Sequence, residues 1–176
     1  MNILYLSCLF YIYFPLFFYP IPYLNTKWIS QPLFIQICQL RVLLLAFFFI
    51  IYNTTLDGSF FSVCPISIMF GMFFFVLGQI FNLSVYALLG TKGVYYGLQY
   101  RTIPPLKIST IEFPFCFKHP LYIGGCISYF GILLLTLWKE YGMDSTLLFL
   151  WFNVEMVQFA LMLMESFLDK IGRAHV

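Results

Sequence analysis

The stretch Glu112-Phe-Pro-Phe-Cys-Phe-Lys-His-Pro-Leu-Tyr-Ile-Gly-Gly-Cys-Ile-Ser-Tyr-Phe-Gly131 carries Lys118, His119 and two prolines straight into a run, Leu121 to Trp138, that contains no charge. Pro120 suits the first turn of a helix, where its missing N–H is no loss and its φ is already helical. His119 then stands at the mouth of that helix, beside first-turn amides that lack intrahelical partners and carry partial positive charge. Further along, Tyr122, Cys126, Tyr129 and Leu133 share one side, while Gly124, Ser128 and Gly131 make a small-residue side. Such a side admits either a neighbouring helix or a ligand close to the backbone. Two readings stand: a capping turn with helix packing, or a site.

A helix this apolar belongs in a bilayer, and the composition extends the conclusion to the whole chain. Of its residues 62% are hydrophobic, 22% aromatic and 9% charged, whereas roughly a quarter are charged in ordinary soluble domains. The expected fold is all-α, a multi-pass integral membrane bundle of four to five transmembrane helices. The 176 residues supply that number of crossings at about 20 residues each, with little left for a soluble domain. A net charge of +2 makes no case for nucleic acid. The five cysteines, Cys8, Cys38, Cys64, Cys116 and Cys126, form no Cys-x-x-Cys pair and no cluster with histidine, so no metal site is expected.

Residues 1–24 are apolar but carry Pro15, Pro20 and Pro22, and they lack the basic start and cleavage site of a signal peptide. They read as a retained segment that spans the bilayer or dips into it. Leu33 to Tyr52 reads as a crossing, with Arg41 near enough to its beginning to snorkel outward. From Pro65 the helical pattern runs to Leu89 and, continued to Tyr100, makes a helix of on the order of 50 Å whose end stands out of the hydrocarbon. Gln79, Asn82, Tyr86, Gly90, Gly93 and Gly97 recur on it at spacings of three or four, on one stripe. That stripe is either helix packing or a groove in which a nucleoside lies against bare backbone. No Walker or Rossmann pattern is present. The last run, Thr146 to Leu168, carries Glu155, Gln158, Met162 and Glu165 on one side. Intramembrane carboxylates are costly and by default face the bundle interior.

With crossings at 2–23, 33–52, 65–89, 120–138 and 146–168, Lys27, Lys92, Arg101, Lys107, Lys118 and Lys170 fall on one side. Lys139, Asp57, Glu140 and Asp144 fall on the other. The positive-inside rule makes the basic side cytosolic, and that side holds the glycine-rich end, the His119 turn and Glu165 together. The last residues, Ile171-Gly-Arg-Ala-His-Val176, match one translation frame of a common sequencing adapter, so Arg173 and His175 are given no role.

Gly78-Gln79, Leu89-Gly-Thr-Lys-Gly-Val-Tyr-Tyr-Gly97, Phe113-Pro-Phe115, His119-Pro-Leu-Tyr-Ile-Gly124 and Glu165-Ser-Phe167 resemble, in order and spacing, the phosphatidylethanolamine N-methyltransferases. The resemblance covers about 100 residues from Gly78 onward. It implies a single membrane-embedded methyltransferase domain over 1–170, with N-terminal helices in 1–64 and the cofactor-binding and catalytic half in 65–170. It further implies transfer of methyl groups from S-adenosylmethionine to the amine of phosphatidylethanolamine and its mono- and dimethyl forms, in the endoplasmic reticulum and its contacts with mitochondria. The partners so implied are a phospholipid and the bilayer. Gly78, Gly90, Gly93, Gly97, His119, Pro120, Tyr122, Gly124 and Glu165 would bind the cofactor; the amine must also lose a proton to react, and Glu165, His119 or Glu112 could accept it, the first two being the catalytic candidates. The family's Gly-x-Gly stands here as Val76-Leu77-Gly78, its paired acidic residues as Met164-Glu165, and His119 stands where animal relatives commonly have Asn. That histidine is shared with the wider group that includes isoprenylcysteine carboxyl methyltransferases, which is the alternative. A non-enzymatic membrane subunit or transporter with ion-carrying glutamates is the rival from another class.

Overall fold

In hydrocarbon a backbone must satisfy its own N–H and C=O groups, so each apolar run folds as a helix. The computed structural model describes residues 3–57, 61–62, 64–96, 99–102, 113–139 and 142–174, with side chains except at 52, 53, 55–57, 139 and 169–174. In chain order these form α1 (Ile3–Phe18), α2 (Ile21–Leu24), α3 (Gln31–Asp57), α4 (Pro65–Val94), α5 (Pro120–Thr136), a hairpin of β1 (Trp138–Lys139) and β2 (Gly142–Met143), and α6 (Ser145–Ala174). Four stretches, Ile3–Leu24, Gln31–Ile51, Pro65–Val94 and Ser145–Leu168, are long and apolar enough to cross a membrane. The 17 residues of α5 give about 25 Å of helix, close to the hydrocarbon thickness of about 30 Å. The chain is thus an all-α multi-pass bundle.

Local chemistry sets the helix starts. Proline occupies the first turn of both α4 and α5, where it needs no partner for an N–H. Asp144 caps α6: its Oδ1 accepts from the amides of Thr146 at 2.9 Å and Leu147 at 3.1 Å, satisfying two orphan donors.

The helices pack in a bent row, α3 on α1, α1 on α6, α6 on α5 and α5 on α4. Cys8 and Ile12 of α1 bury against Leu147, Leu150, Val157 and Leu161 of α6, and the Tyr13 hydroxyl donates to Asn153 Oδ1. The tightest seam is α4 on α5, where the small-residue side of α5 receives a helix. A Cβ on Gly78 would meet Gly124 O at 2.5 Å and the Ser128 amide nitrogen at 2.6 Å; one on Gly71 would meet Gly131 O at 2.9 Å. Backbones approach this closely only where side chains are absent. Across the same seam Gln79 Nε2 donates to Ser128 Oγ at 2.9 Å and Ser67 Oγ donates to Leu134 O at 2.5 Å.

The helical pattern from Pro65 does not continue to Tyr100. Gly90, at φ 65° and ψ 169°, breaks the helix, and a single further turn ends at Val94. An L side chain at those angles is strained, so the stripe of polar and glycine residues changes direction after Leu89.

Gly78→Leu should lower the melting temperature in detergent by several degrees, since overpacking costs about 1–3 kcal/mol. Gly125→Ala, whose Cβ would come no closer than 3.6 Å to Gln158, should melt with wild type; equal melting of the two variants would refute the seam as a backbone contact.

Candidate functional site

Beyond the Gly90 break the chain folds back onto the N-terminal helices. Tyr96 adopts φ 58° and Arg101 φ 55°, left-handed conformations that are uncommon for side chains of this size. Gln31, at the start of α3 and only 4% exposed, holds the returning segment. Its Nε2 donates to the carbonyls of Lys92 and Tyr95, both at 2.9 Å, and its Oε1 accepts from the Thr102 hydroxyl at 2.5 Å. Those carbonyls lie at the end of α4, where no further helical turn is available to bond them. The Tyr96 ring then stands edge-on to Tyr23 at 5.3 Å and Phe34 at 5.6 Å between centroids.

This places the Tyr96 hydroxyl on Glu165, donating to Oε1 at 2.5 Å. Burial, with the neighbouring Tyr122 and Glu165 adding to it, pushes the Tyr96 phenol well above its ordinary pKa, so it remains a donor to the carboxylate. Tyr122, from the first turn of α5, neighbours the same carboxylate. One residue on, Ser166 Oγ is 2.9 Å from His119 Nε2, with roles set by the imidazole tautomer. The His119 and Tyr122 rings meet edge-on at 6.2 Å. The Phe-Pro-Phe turn that delivers His119 is anchored on α4: Phe81 contacts Phe113 at 4.9 Å and Phe117 at 5.3 Å between centroids.

These groups surround a cavity of about 710 Å³, within the range of small-molecule and cofactor sites, roughly 300–1,000 Å³. His119, Pro120, Tyr122, Gly93 and Glu165 line it, together with Tyr96, Asn82, Gln158 and Arg41. Gly78 and Gly124 face each other in the α4–α5 seam instead. Gly90 is exposed at the break, with nothing within 4 Å of the position a Cβ would take, so its part is conformational rather than a bare-backbone groove. Gly97 and Glu112 lie outside the described residues. Gln158 and Glu165 of α6 line the cavity, while Glu155 lies beside Cys126 and Trp151.

Two residues the sequence did not single out matter here: Tyr96 lines the cavity and Gln31 holds the segment that carries it. Tyr96 and Gln31 were hidden because their roles arise from a chain reversal that periodicity does not encode. Arg41 does not snorkel outward: its Nε donates to Tyr11 O at 3.0 Å and its Nη1 to Tyr19 Oη at 3.3 Å. Along one flank, Val42 of α3 and Leu83 of α4 both line the cavity and are 47% and 66% exposed, so its lining reaches the outer surface of the bundle there.

The donor set suits a cationic cofactor. Glu165, with the Tyr96 hydroxyl as its donor, supplies negative charge on the cavity wall, whereas Asn82 Oδ1, which has no hydrogen-bond partner among the described residues, faces Gly124 in the α4–α5 seam. A carboxylate so placed, beside the Tyr122 ring, fits a cationic group such as an ammonium or sulfonium.

Replacing Gly90 by Ala should strain the break by about 1–3 kcal/mol. Amide exchange of residues 91–96 should accelerate at least about fivefold, which is the rate equivalent of the lower figure; unchanged protection would show that the break tolerates a side chain.

Residues 66–171 match the family described as phospholipid methyltransferase. No curated protein and no solved structure matches the chain. The family match covers more than half of the sequence and includes α4, α5, the His119 corner and Glu165. On that match, and with four stretches long and apolar enough to cross a membrane, the chain belongs to the phospholipid methyltransferase family.

Proposed function

We propose that the protein methylates the amine of phosphatidylethanolamine and its mono- and dimethyl derivatives towards phosphatidylcholine, using S-adenosylmethionine, in the endoplasmic reticulum or mitochondria-associated membrane with its site on the cytosolic side. The observation that carries this reading is the cavity itself. A half-buried carboxylate with its donor, Glu165 and Tyr96, and a histidine at a helix mouth share one enclosure whose lining reaches the outer surface at Val42 and Leu83. Lys92, Arg101 and Lys118 cluster at the same end of the helices as this site in the predicted crossing pattern, which favours a cytosolic placement.

His119, Pro120, Tyr122, Gly93 and Glu165 would hold the cofactor. When bound, S-adenosylmethionine supplies an electrophilic methyl group on a cationic sulfur. The chain's own task is to hold the acceptor amine in line with it, which can account for much of the acceleration. An alkylammonium has a pKa of roughly 10, so the acceptor must lose a proton before it can act as a nucleophile. Glu165 is placed to take that proton directly or through water, and the Tyr96 hydrogen bond fixes the carboxylate's orientation. His119, held by Ser166, is a second acceptor at the same mouth. Tyr122 can contact a cationic headgroup by its ring face.

Purified protein with phosphatidylethanolamine vesicles and radiolabelled S-adenosylmethionine should incorporate label into lipid. Glu165→Gln should lower kcat/KM by about 10²-fold, the lower range for a lost general base, and Tyr96→Phe by about tenfold, as for one hydrogen bond to a charged group. Label in lipid at wild-type rate in both variants would remove this pair from the site, and absence of S-adenosylmethionine binding by equilibrium dialysis would remove the activity.

A further inference from the structure

Arg41 lies about 15 Å along the α3 axis from Gln31, deep in the stretch Gln31–Ile51 that is long and apolar enough to span. It comes from outside the family-matched residues. A guanidinium has five N–H donors and no acceptor. Those of Arg41 reach the Tyr11 carbonyl and the Tyr19 hydroxyl, and neither partner is an anion. Among the described residues no carboxylate pairs with it. A cation at this depth is costly without a counter-charge, and such residues mark substrate paths. Its side chain lines the cavity of Glu165 and His119.

Directly beyond lies a second cavity of about 420 Å³, almost wholly apolar. The two share Ile12, Val42, Leu45 and Tyr129 among their walls, so they adjoin, and Arg41 lines the first of them next to Val42. Taken along the helices, the order is carboxylate and histidine, then guanidinium, then hydrocarbon-lined space. A zwitterionic phospholipid has the same order: amine, phosphodiester, acyl chain. Guanidinium pairs with phosphate oxygens through two parallel N–H bonds.

We propose that Arg41 recognises the phosphodiester of the acceptor lipid, with an acyl chain continuing into the lower cavity. Arg41 is therefore a specificity residue for phospholipid over other lipophilic amines. This deepens the function proposed above and rests on it for the acceptor. An anion of the same cavity, the carboxylate of the methyl donor, is the competing source of charge, and the test separates them.

Binding of dioleoyl phosphatidic acid and of dioleoylglycerol, each radiolabelled in dodecyl maltoside micelles, is measured without cofactor on wild type, Arg41→Gln and Arg41→Lys. Wild type should bind the phosphate-bearing lipid at least tenfold more tightly, Arg41→Gln should bind the two alike, and Arg41→Lys should keep part of the preference. S-adenosylmethionine affinity should stay within twofold of wild type in both variants. A preference retained in Arg41→Gln overturns the proposal, as does weakened cofactor binding with the lipid preference intact, which assigns Arg41 to the donor carboxylate. If Arg41→Gln binds neither lipid, Arg41→Lys decides: a remaining preference for the phosphate-bearing lipid supports the proposal, and normal cofactor binding with no lipid preference overturns it. Methyl transfer is scored separately. An Arg41-dependent preference without methylation keeps the phosphate site and loses the activity, and methylation with unchanged lipid KM in Arg41→Gln does the reverse.

Discussion

The backbone contact between α4 and α5 is the constraint on which the site depends. Gly71 and Gly78 meet Gly124, Ser128 and Gly131 with no room for a Cβ. In hydrocarbon two helices gain little from exchanging lipid contact for side-chain contact, so association relies on close van der Waals approach and on interhelical hydrogen bonds. The seam has both, since Gln79 bonds Ser128 within it. It sets the height of α5 against α4, and through Phe81 it sets where the His119 corner sits. Any widening there would move His119 and Tyr122 away from Glu165.

The second determinant is the reversal after Leu89. Gly90 supplies backbone angles that side-chain-bearing residues avoid, and Gln31 supplies the partners that the carbonyls of Lys92 and Tyr95 lose when the helix stops. The strain of Tyr96 at positive φ is offset by its aromatic packing on Tyr23 and Phe34 and by its bond to Glu165. The N-terminal helices, which lie outside the family match, therefore form part of the enclosure through Tyr19, Tyr23 and Arg41. A site drawn from the matched residues alone would lack one wall.

The arrangement follows the dielectric of the bilayer. Charged and hydrogen-bonding groups gather at one end of the helices, and the cavity becomes apolar with depth. Outward faces carry Phe17, Met69, Phe73 and Phe167, all exposed, as hydrocarbon-facing surfaces require. Between α3 and α4 this outward surface is continuous with the cavity lining at Val42 and Leu83.

From residues alone came the bilayer, the number and starts of the helices, and the juxtaposition of His119 and Glu165, because hydropathy, proline at a first turn and intramembrane charge act locally and have few alternative solutions. The small-residue side of α5 was visible as well, yet whether Gly78 and Gly124 met a helix or a ligand was not, since an absent side chain invites either. The straight helix to Tyr100 and the outward Arg41 were the natural expectations of periodicity and snorkelling. Both gave way to contacts far apart in sequence: Gln31 with Lys92 and Tyr95, Arg41 with Tyr11 and Tyr19. Local physics therefore determined which segments are helices and where they lie, whereas the tertiary structure decided which polar groups face one another. That choice depends on the relative height and rotation of packed helices, and no single segment carries that information.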